Sequence, residues 1–320
     1  MLAGRLAGTM SGQSKHKLSA GSAALLVLLC LSLSARAQTV YSAYSQYNLI
    51  TVEDRGSFRT LSFNGSQESR VSRHNGQLGH FEYTEYLQMP LMWAPRAKRV
   101  LMIGLGGGST QKAFQHHYPD IHVDTVEIDP MVAAVAKKFF DVRETPKLKI
   151  HISDGRTYLK RYEGEKYDII LLDAYTTSRT GTHIPFHLAT QEFFDLAASK
   201  LSAEGALGYN VIGTYDGWRA DNVGALHRTL SAVFPHVYHF PAAETRNIVF
   251  VATRDRVALT VPGVIEKMAK LHELRPKLAP NFNTRIQAVR NQEPQTARQS
   301  PVLTDQLTPA SGQLGSRSKD

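Results

Sequence analysis

The feature that most constrains this chain is the run Val100-Leu101-Met102-Ile103 leading into Gly104-Leu105-Gly106-Gly107-Gly108. Four consecutive apolar residues that end on a glycine turn describe a strand buried on both faces. Such strands sit in parallel sheets covered by helices. The sequence that follows repeats the alternation. Strands are expected at residues 123–128, 148–152, 167–172 and 205–211, with helices near 111–117, 131–140, 156–162, 192–201 and 220–234. Residues 237–240 and 248–252 read as a closing hairpin. Strands alternating with helices predict an α/β domain with a largely parallel sheet and helices on both faces. Upstream, residues 47–52 and 59–63 read as strands. Turn signals at Asp54-Arg55-Gly56 and Asn64-Gly65 make them a small antiparallel unit. Residues 82–93 read as helix.

Charge decides whether such a domain is a nucleic-acid binder. The 320 residues carry a formal net charge of +9, which by itself invites that reading. Its distribution argues otherwise. Residues 1–37 hold Arg5, Lys15, Lys17 and Arg36 and no acid. Residues 275–320 hold seven basic residues against Glu293, Asp305 and Asp320. Residues 38–274 are left with +1. The single cysteine excludes an intramolecular disulfide and a cysteine-rich zinc site, and no spacing of histidines supports another metal site.

The N-terminal charge belongs to a targeting pattern. Lys15 and Lys17 precede an apolar run over residues 23–31, and Ala35-Arg36-Ala37 follows before Gln38. A basic start, a short apolar centre and an A-x-A end describe an export signal. An uncleaved anchor, giving membrane association through the N-terminus, is the alternative. Either places the following domain outside the cytoplasm, periplasmic or secreted. Cys30 lies within the apolar run and reads as part of it. The C-terminal stretch is rich in Gln, Ser, Thr and Pro and poor in aromatics, so mostly disorder is expected there. The expected division is therefore 1–37 signal or anchor, 38–80 antiparallel β-domain, 81–260 Rossmann-like α/β domain, and 261–320 a helix remnant with a basic tail.

Ligands of open α/β sheets bind at the carboxyl ends of the strands, and three strand ends here carry suggestive residues. The turn Gly104–Gly108 lets a ligand approach backbone closely, at the start of a helix with free N–H groups. Tight packing of strand on helix accounts for many such turns. Glu127 ends the next strand, where an acid accepts hydrogen bonds from ribose hydroxyls. Alone it is equally a surface acid. Asp154-Gly155 follows the third strand and is placed to read an adenine amino group, or simply to cap a helix. The turn reads G-x-G-G-G. That is neither the dinucleotide G-x-G-x-x-G nor a P-loop, because no Lys-Ser/Thr follows. Together these favour a nucleoside with a sulfur-linked chain over NAD or ATP. His183 and His187 flank Pro185 in a loop covering the site, so either is placed to touch substrate.

At this point the sequence resembles the spermidine synthases, the polyamine aminopropyltransferases. The resemblance is carried by Phe81-Glu82-Tyr83-Thr84-Glu85, the strand and turn 100–109, Val126-Glu127-Ile128-Asp129, Asp154-Gly155 and Leu172-Asp173-Ala174-Tyr175. It spans roughly residues 45–255. The stretch from Asp173-Ala174-Tyr175 through Ile184-Pro185-Phe186-His187 to Phe193-Phe194 is similar to a branch often fused to membrane transporter segments. The resemblance implies a methyltransferase-like Rossmann domain carrying a small N-terminal antiparallel β-domain. It implies aminopropyl transfer from decarboxylated S-adenosylmethionine to an amine such as putrescine, releasing methylthioadenosine. That co-substrate is not held as a resident cofactor. The small amine is the expected partner and nucleic acid is not, and homo-oligomers are common in the family.

Residue by residue, the resemblance makes Asp173 the catalytic carboxylate. Glu127 holds the ribose, Asp154 and Gly155 the adenine, and Pro185 lines the nucleoside pocket. Asn48, Gly104, Gly106 and Gly108 complete the nucleoside site. Tyr83, Thr84, Glu85, Tyr175 and Thr176 form the amine side. The chain also departs from the family. Gly107 stands where an acid is usual in the turn, Thr176 where a second acid usually follows the catalytic one, and Thr84 where His or Gln is usual. Asn48 replaces a longer amide, and a one-residue slip would put Tyr47 there. The amine half is thus depleted of acids. An acid at 107 would repel the carboxylate of intact S-adenosylmethionine, so its absence predicts binding of either form. A methyltransferase-like enzyme and a non-catalytic nucleoside or polyamine binder are the competing readings.

Overall fold

The computed structural model describes residues 37–74, 81–178, 181–307 and 313–314. The targeting pattern expected over 1–37 lies, but for Ala37, outside the described residues. Four strands make the first sheet: β1 (Gln38–Tyr44), β2 (Leu49–Arg55), β3 (Phe58–Phe63) and β4 (Ser66–Ser72). They pair antiparallel in chain order. Glycines in the left-handed region at 56 and 65 make the turns that the sequence announced. Ile50, Val52, Leu61 and Val71 form the buried side of this sheet.

That buried side is not a separate core. It joins Val100 and Met102 of β5 (Arg99–Ile103), whereas Leu101 and Ile103 pack into a second core on the opposite face. Burial on both faces is why β5 reads as an unbroken apolar run. The described residues from Gln38 onward accordingly form one compact unit. Asp54 on β2 reinforces the join. It receives two hydrogen bonds from Arg59, at 2.7 and 2.8 Å, and Arg59 also donates to the Phe139 carbonyl at 3.0 Å.

Between the sheets, the segment expected as one helix over 82–93 is broken into α1 (Tyr83–Tyr86) and a 3-10 turn over Met89–Met92. Pro90 opens that turn without a backbone N–H, so the α-helical ladder cannot run through it. The alternation then proceeds as expected: α2 (Ser109–His117), β6 (His122–Glu127), α3 (Pro130–Phe139), β7 (Leu148–Ile152), α4 (Gly155–Arg161) and β8 (Tyr167–Leu172). A short hairpin that periodicity did not announce follows, β9 (Thr176–Ser178) and β10 (Gly181–Pro185). Next come α5 (Gln191–Lys200), β11 (Leu201–Ile212), α6 (Ala220–Ser231), β12 (His236–Pro241) and β13 (Asn247–Thr253).

The large sheet runs β12-β13-β11-β8-β5-β6-β7. It is parallel from β11 to β7, and β13 runs antiparallel to both β11 and β12, giving the expected closing hairpin. Strand order reverses between β5 and β8, and a crevice opens at the carboxyl ends of such neighbours.

The described C-terminal residues, up to 307, differ from the disorder expected of this region. After α7 (Val261–Leu274) the chain turns back across the molecule, with α8 (Phe282–Arg285) and short 3-10 turns. Phe282, Ile286, Ala297 and Leu303 are buried. Its basic residues meet acids of the body: Arg275 with Asp120 at 3.0 Å, Arg285 with Glu82 at 2.6 Å and with Glu85 at 2.5 Å. Isolated apolar anchors without a repeat period give no signal of packing in the sequence. β14 (Gln313–Leu314) pairs with β10.

Candidate active site

The carboxyl ends of β5, β6, β7 and β8 open into a cavity of about 470 Å³, roofed by the first sheet and the β9–β10 hairpin. Each strand end is held by its neighbours. Gly104 has φ +105°, and a Cβ there would lie 2.2 Å from the Asp173 carbonyl oxygen, so only glycine fits. The close approach brings the β8 end beside the glycine turn, and the Asp173 N–H donates to the Ile103 carbonyl at 2.9 Å.

Glu127 is buried at the end of β6. It accepts the Leu105 N–H at 3.1 Å and the Asp129 N–H at 2.9 Å, which fixes its carboxylate against the glycine turn. Burial pushes its pKa up to about 7, against those two N–H groups. A carboxylate has about four acceptor positions, so hydroxyl donors from a ligand can still be taken. Asp129 caps α3 through the Met131 N–H at 2.9 Å, with Pro130 in the first helical position.

Asp154 is both a helix cap and a cavity residue. It caps α4 by accepting the Thr157 N–H at 2.8 Å, and it lines the cavity. Its other oxygen meets His187 Nε2 at 2.7 Å. Burial works to raise this carboxyl, but the His187 ring and the Thr157 N–H together hold it well below its usual range. Gly155, Pro185 and Asn48 line the same cavity. Asn48 Oδ1 accepts from Asn64 Nδ2 at 2.8 Å, and that amide also donates to the Thr177 carbonyl at 2.9 Å, which holds the hairpin to the first sheet. Tyr47 lines the cavity as well.

Asp173 lies at the opposite end. Asn210 Nδ2 donates to Oδ1 at 2.8 Å, and the Tyr83 hydroxyl to Oδ2 at 3.4 Å. Asn210 is itself held by Asn247 at 2.9 Å. Burial raises the Asp173 pKa, and the Asn210 and Tyr83 bonds oppose it. Tyr175 and Thr176 line this end, and the Tyr175 hydroxyl donates to the Asn210 carbonyl.

The structure brings together Asn48, Gly104, Gly106, Glu127, Asp154, Gly155, Asp173, Tyr175, Thr176, Pro185 and Tyr83 around this one cavity. Two expected residues lie elsewhere, and a third borders an annex of the cavity. Gly108 caps α2 and packs on Val142, behind the turn. Thr84 bonds the Phe81 carbonyl at 2.8 Å and lines a small annex together with Tyr83 and Asp173. Glu85 is engaged by Arg285 and Asn281 of the C-terminal region. On α1, residues 83 and 85 point in different directions, and Tyr83 takes the one toward Asp173. Of the two histidines beside Pro185, His187 lines the cavity and His183 does not.

Sequence reasoning missed Asn210, Asn247 and Glu68. The two amides lie on strands remote in sequence. Glu68 is half-buried on β4, and its signal was obscured by a bulge: the register passes from Leu61 opposite Ser69 to Ser62 opposite Gln67. Burial pushes Glu68 up to about 7, against a hydrogen bond from Ser66, and the charge of Asp173 adds to the rise.

Five carboxylates line the cavity: Glu68, Glu127, Asp129, Asp154 and Asp173. Among the described residues no lysine or arginine does. Such a cavity attracts cations and repels anions. Its two ends differ in chemistry, with capped acids and glycine backbone at one and a buried acid among aromatic rings at the other.

Comparison with known proteins follows the same outline. The spermine/spermidine synthase domain matches residues 80–242. The polyamine aminopropyltransferase of Vibrio vulnificus is 31% identical over 89% of this chain and 96% of its own. Among solved structures, a probable spermidine synthase from Corynebacterium glutamicum shares the fold at TM-score 0.63 and 18% identity, over 82% of this chain and 95% of that one. A spermidine synthase in complex with the transition-state analogue AdoDATO does so at TM-score 0.57 and 19% identity, over 77% and 86%.

Proposed function

The chain belongs to the spermine/spermidine synthase family, and on that premise we propose that it is a polyamine aminopropyltransferase. It transfers the aminopropyl group of decarboxylated S-adenosylmethionine to a small amine such as putrescine. The observation that carries this reading is the charge of the cavity: five carboxylates and, among the described residues, no lysine or arginine. Both reactants are cations, a sulfonium and an ammonium.

The division of the cavity suits the two reactants. Glu127 takes the ribose hydroxyls, Asp154 and Gly155 face the adenine, and Pro185 and Asn48 flank the nucleoside. Asp173, Tyr83 and Tyr175 lie where the amine enters. The amine nitrogen bonds to the carbon beside sulfur as the C–S bond breaks. The sulfur keeps the electron pair, and neutral methylthioadenosine leaves. The proton lost by the amine passes to Asp173. In water an amine near ~10.4 and a carboxylate near ~3.9 are mismatched by roughly 6.5 units. Burial raises the Asp173 pKa, and the same dry surroundings lower that of an ammonium. The gap narrows from both sides.

The cavity also bears on the form of the co-substrate. Residue 107 does not open into it, since a Cβ there would lie 2.8 Å from Ser69 Cβ and 3.1 Å from Phe140. The five carboxylates themselves disfavour a ligand that brings another. The decarboxylated form is therefore expected to bind more tightly than intact S-adenosylmethionine. Incubating the full chain with each form and a set of diamines, read by mass spectrometry, tests both points. The expected result is methylthioadenosine plus an aminopropylated amine. S-adenosylhomocysteine with a methylated amine would replace this reading with methyl transfer.

A further inference from the structure

Glu68 is an acid with no role in the reaction as derived so far, and its position is unusual. It is the extra residue of a β-bulge, lying between the Leu61–Ser69 and Ser62–Gln67 pairs. In a regular strand, consecutive side chains alternate across the sheet. The bulge breaks that alternation, and Gln67, Glu68 and Ser69 all line the cavity. Bulges recur beside active sites because they re-aim a side chain. Ser69 is spent on structure, since its hydroxyl accepts the Gly107 N–H at 2.8 Å. Among the described residues Glu68 is held by hydroxyls: Thr177 of the β9–β10 hairpin donates at 3.4 Å, and Ser66 also bonds it.

Glu68 and Asp173 also share the lining of a small annex beside the cavity, with Tyr83 and Gly104. One acid comes from the first sheet and the other from the end of β8. No lysine or arginine among the described residues lines either space. Two carboxylates gathered without a cation carry a desolvation cost that a bound ammonium offsets. Burial raises Glu68 to about 7, and the charge of Asp173 adds to the rise.

We propose that Glu68 is the second carboxylate of the amine site, holding the cationic substrate from the first sheet while Asp173 holds it from the other. The inference rests on the aminopropyl-transfer reading of the same cavity. It places the amine-binding charge on β4, in a chain that lacks an acid at positions 107 and 176. Glu68 positions the amine and sets specificity for it, and Asp173 remains the group that takes the proton.

The test is calorimetric titration of putrescine into the full chain saturated with methylthioadenosine, for wild type, Glu68→Gln and Glu68→Asp. Removing one charge-assisted bond is expected to weaken putrescine binding roughly 10–100-fold in Glu68→Gln. Glu68→Asp should recover part of it, and methylthioadenosine affinity should stay unchanged. In turnover the loss should fall on KM for the amine more than on kcat. Equal putrescine affinity in wild type and Glu68→Gln would overturn the proposal. So would parallel loss of methylthioadenosine binding in both variants, which would assign Glu68 to the frame of the site. Absence of any diamine binding to wild type would overturn it as well. Aminopropyl transfer is judged separately: a wild type that binds putrescine yet releases no methylthioadenosine refutes that reaction, and Glu68 is still decided by the binding comparison.

Discussion

Asp173 shows how a residue acquires its chemistry from its neighbours. An aspartate in water is too weak a base for an ammonium. Here it is buried at a strand end, with one oxygen bonded to Asn210 and the other to Tyr83. Those bonds orient the carboxylate, and burial raises its proton affinity. Asp173→Asn keeps the shape and removes the acceptor. It is expected to lower kcat about 10²–10⁴-fold, the range for a positioned general base, with methylthioadenosine affinity retained. Steady-state kinetics beside calorimetry checks both. Near-normal kcat would show that the proton goes elsewhere. Asp173, Glu127 and Asp154 were legible because each stands at or just past the end of a strand that the alternation of strands and helices marks. Glu68 was not, because a bulge is a property of two paired strands and leaves no period in either. The family resemblance carried Glu85 to the amine side with Tyr83, and the structure turns it away. The rotation of a one-turn helix is set by what packs on it, here Arg285 and Asn281.

At the scale of elements, the site exists because two sheets are held together. Arg59 of β3 is the clearest joint. It forks onto Asp54 of β2 at 2.7 and 2.8 Å and reaches the Phe139 carbonyl at the end of α3. Asp54 is buried, so removing the guanidinium leaves a carboxylate without its main partner. Arg59→Ala is expected to cost about 1.5–3 kcal/mol, the worth of hydrogen bonds to a charged group, measured by urea unfolding at pH 7. The Arg59 bond holds the Asp54 pKa below its ordinary value of 3.8. The stabilisation is therefore complete above that value and lost as pH falls below it, through the depressed folded-state pKa. The wild-type advantage over Arg59→Ala should shrink in that acid window. A difference that persists unchanged there would mean the arginine acts through packing instead.

For the whole molecule, the C-terminal region changes the meaning of the net charge. Of the seven basic residues after position 274, Arg275 and Arg285 neutralise acids of the body, and Arg298 pairs with Glu293 within the region itself. Arg285 matters most, because Glu82 is only 1% exposed and depends on it. The remaining bonds to Glu82, from the Tyr86 hydroxyl and the Glu244 N–H, are neutral. Arg285→Ala is expected to destabilise the protein by about 3–5 kcal/mol, as breaking one side of a buried pair does. Thermal unfolding checks this, and an unchanged midpoint would show that water replaces the arginine. The same variant should leave amine affinity nearly intact, since neither Glu82 nor Arg285 lines the cavity.

The sequence by itself determined the alternation of strands and helices, the central place of β5, and the acids at the ends of β6, β7 and β8. Each of these is local. An apolar run, a glycine turn and a capping residue act within a few positions of one another. Only the tertiary structure decided that the described C-terminal residues pack, that Glu85 belongs to an ion pair, and that Glu68 and Asp173 line one cavity. Those outcomes depend on which surfaces meet across more than a hundred residues. Two acids share one cavity because a bulge on one sheet and a strand end on another close over the same space.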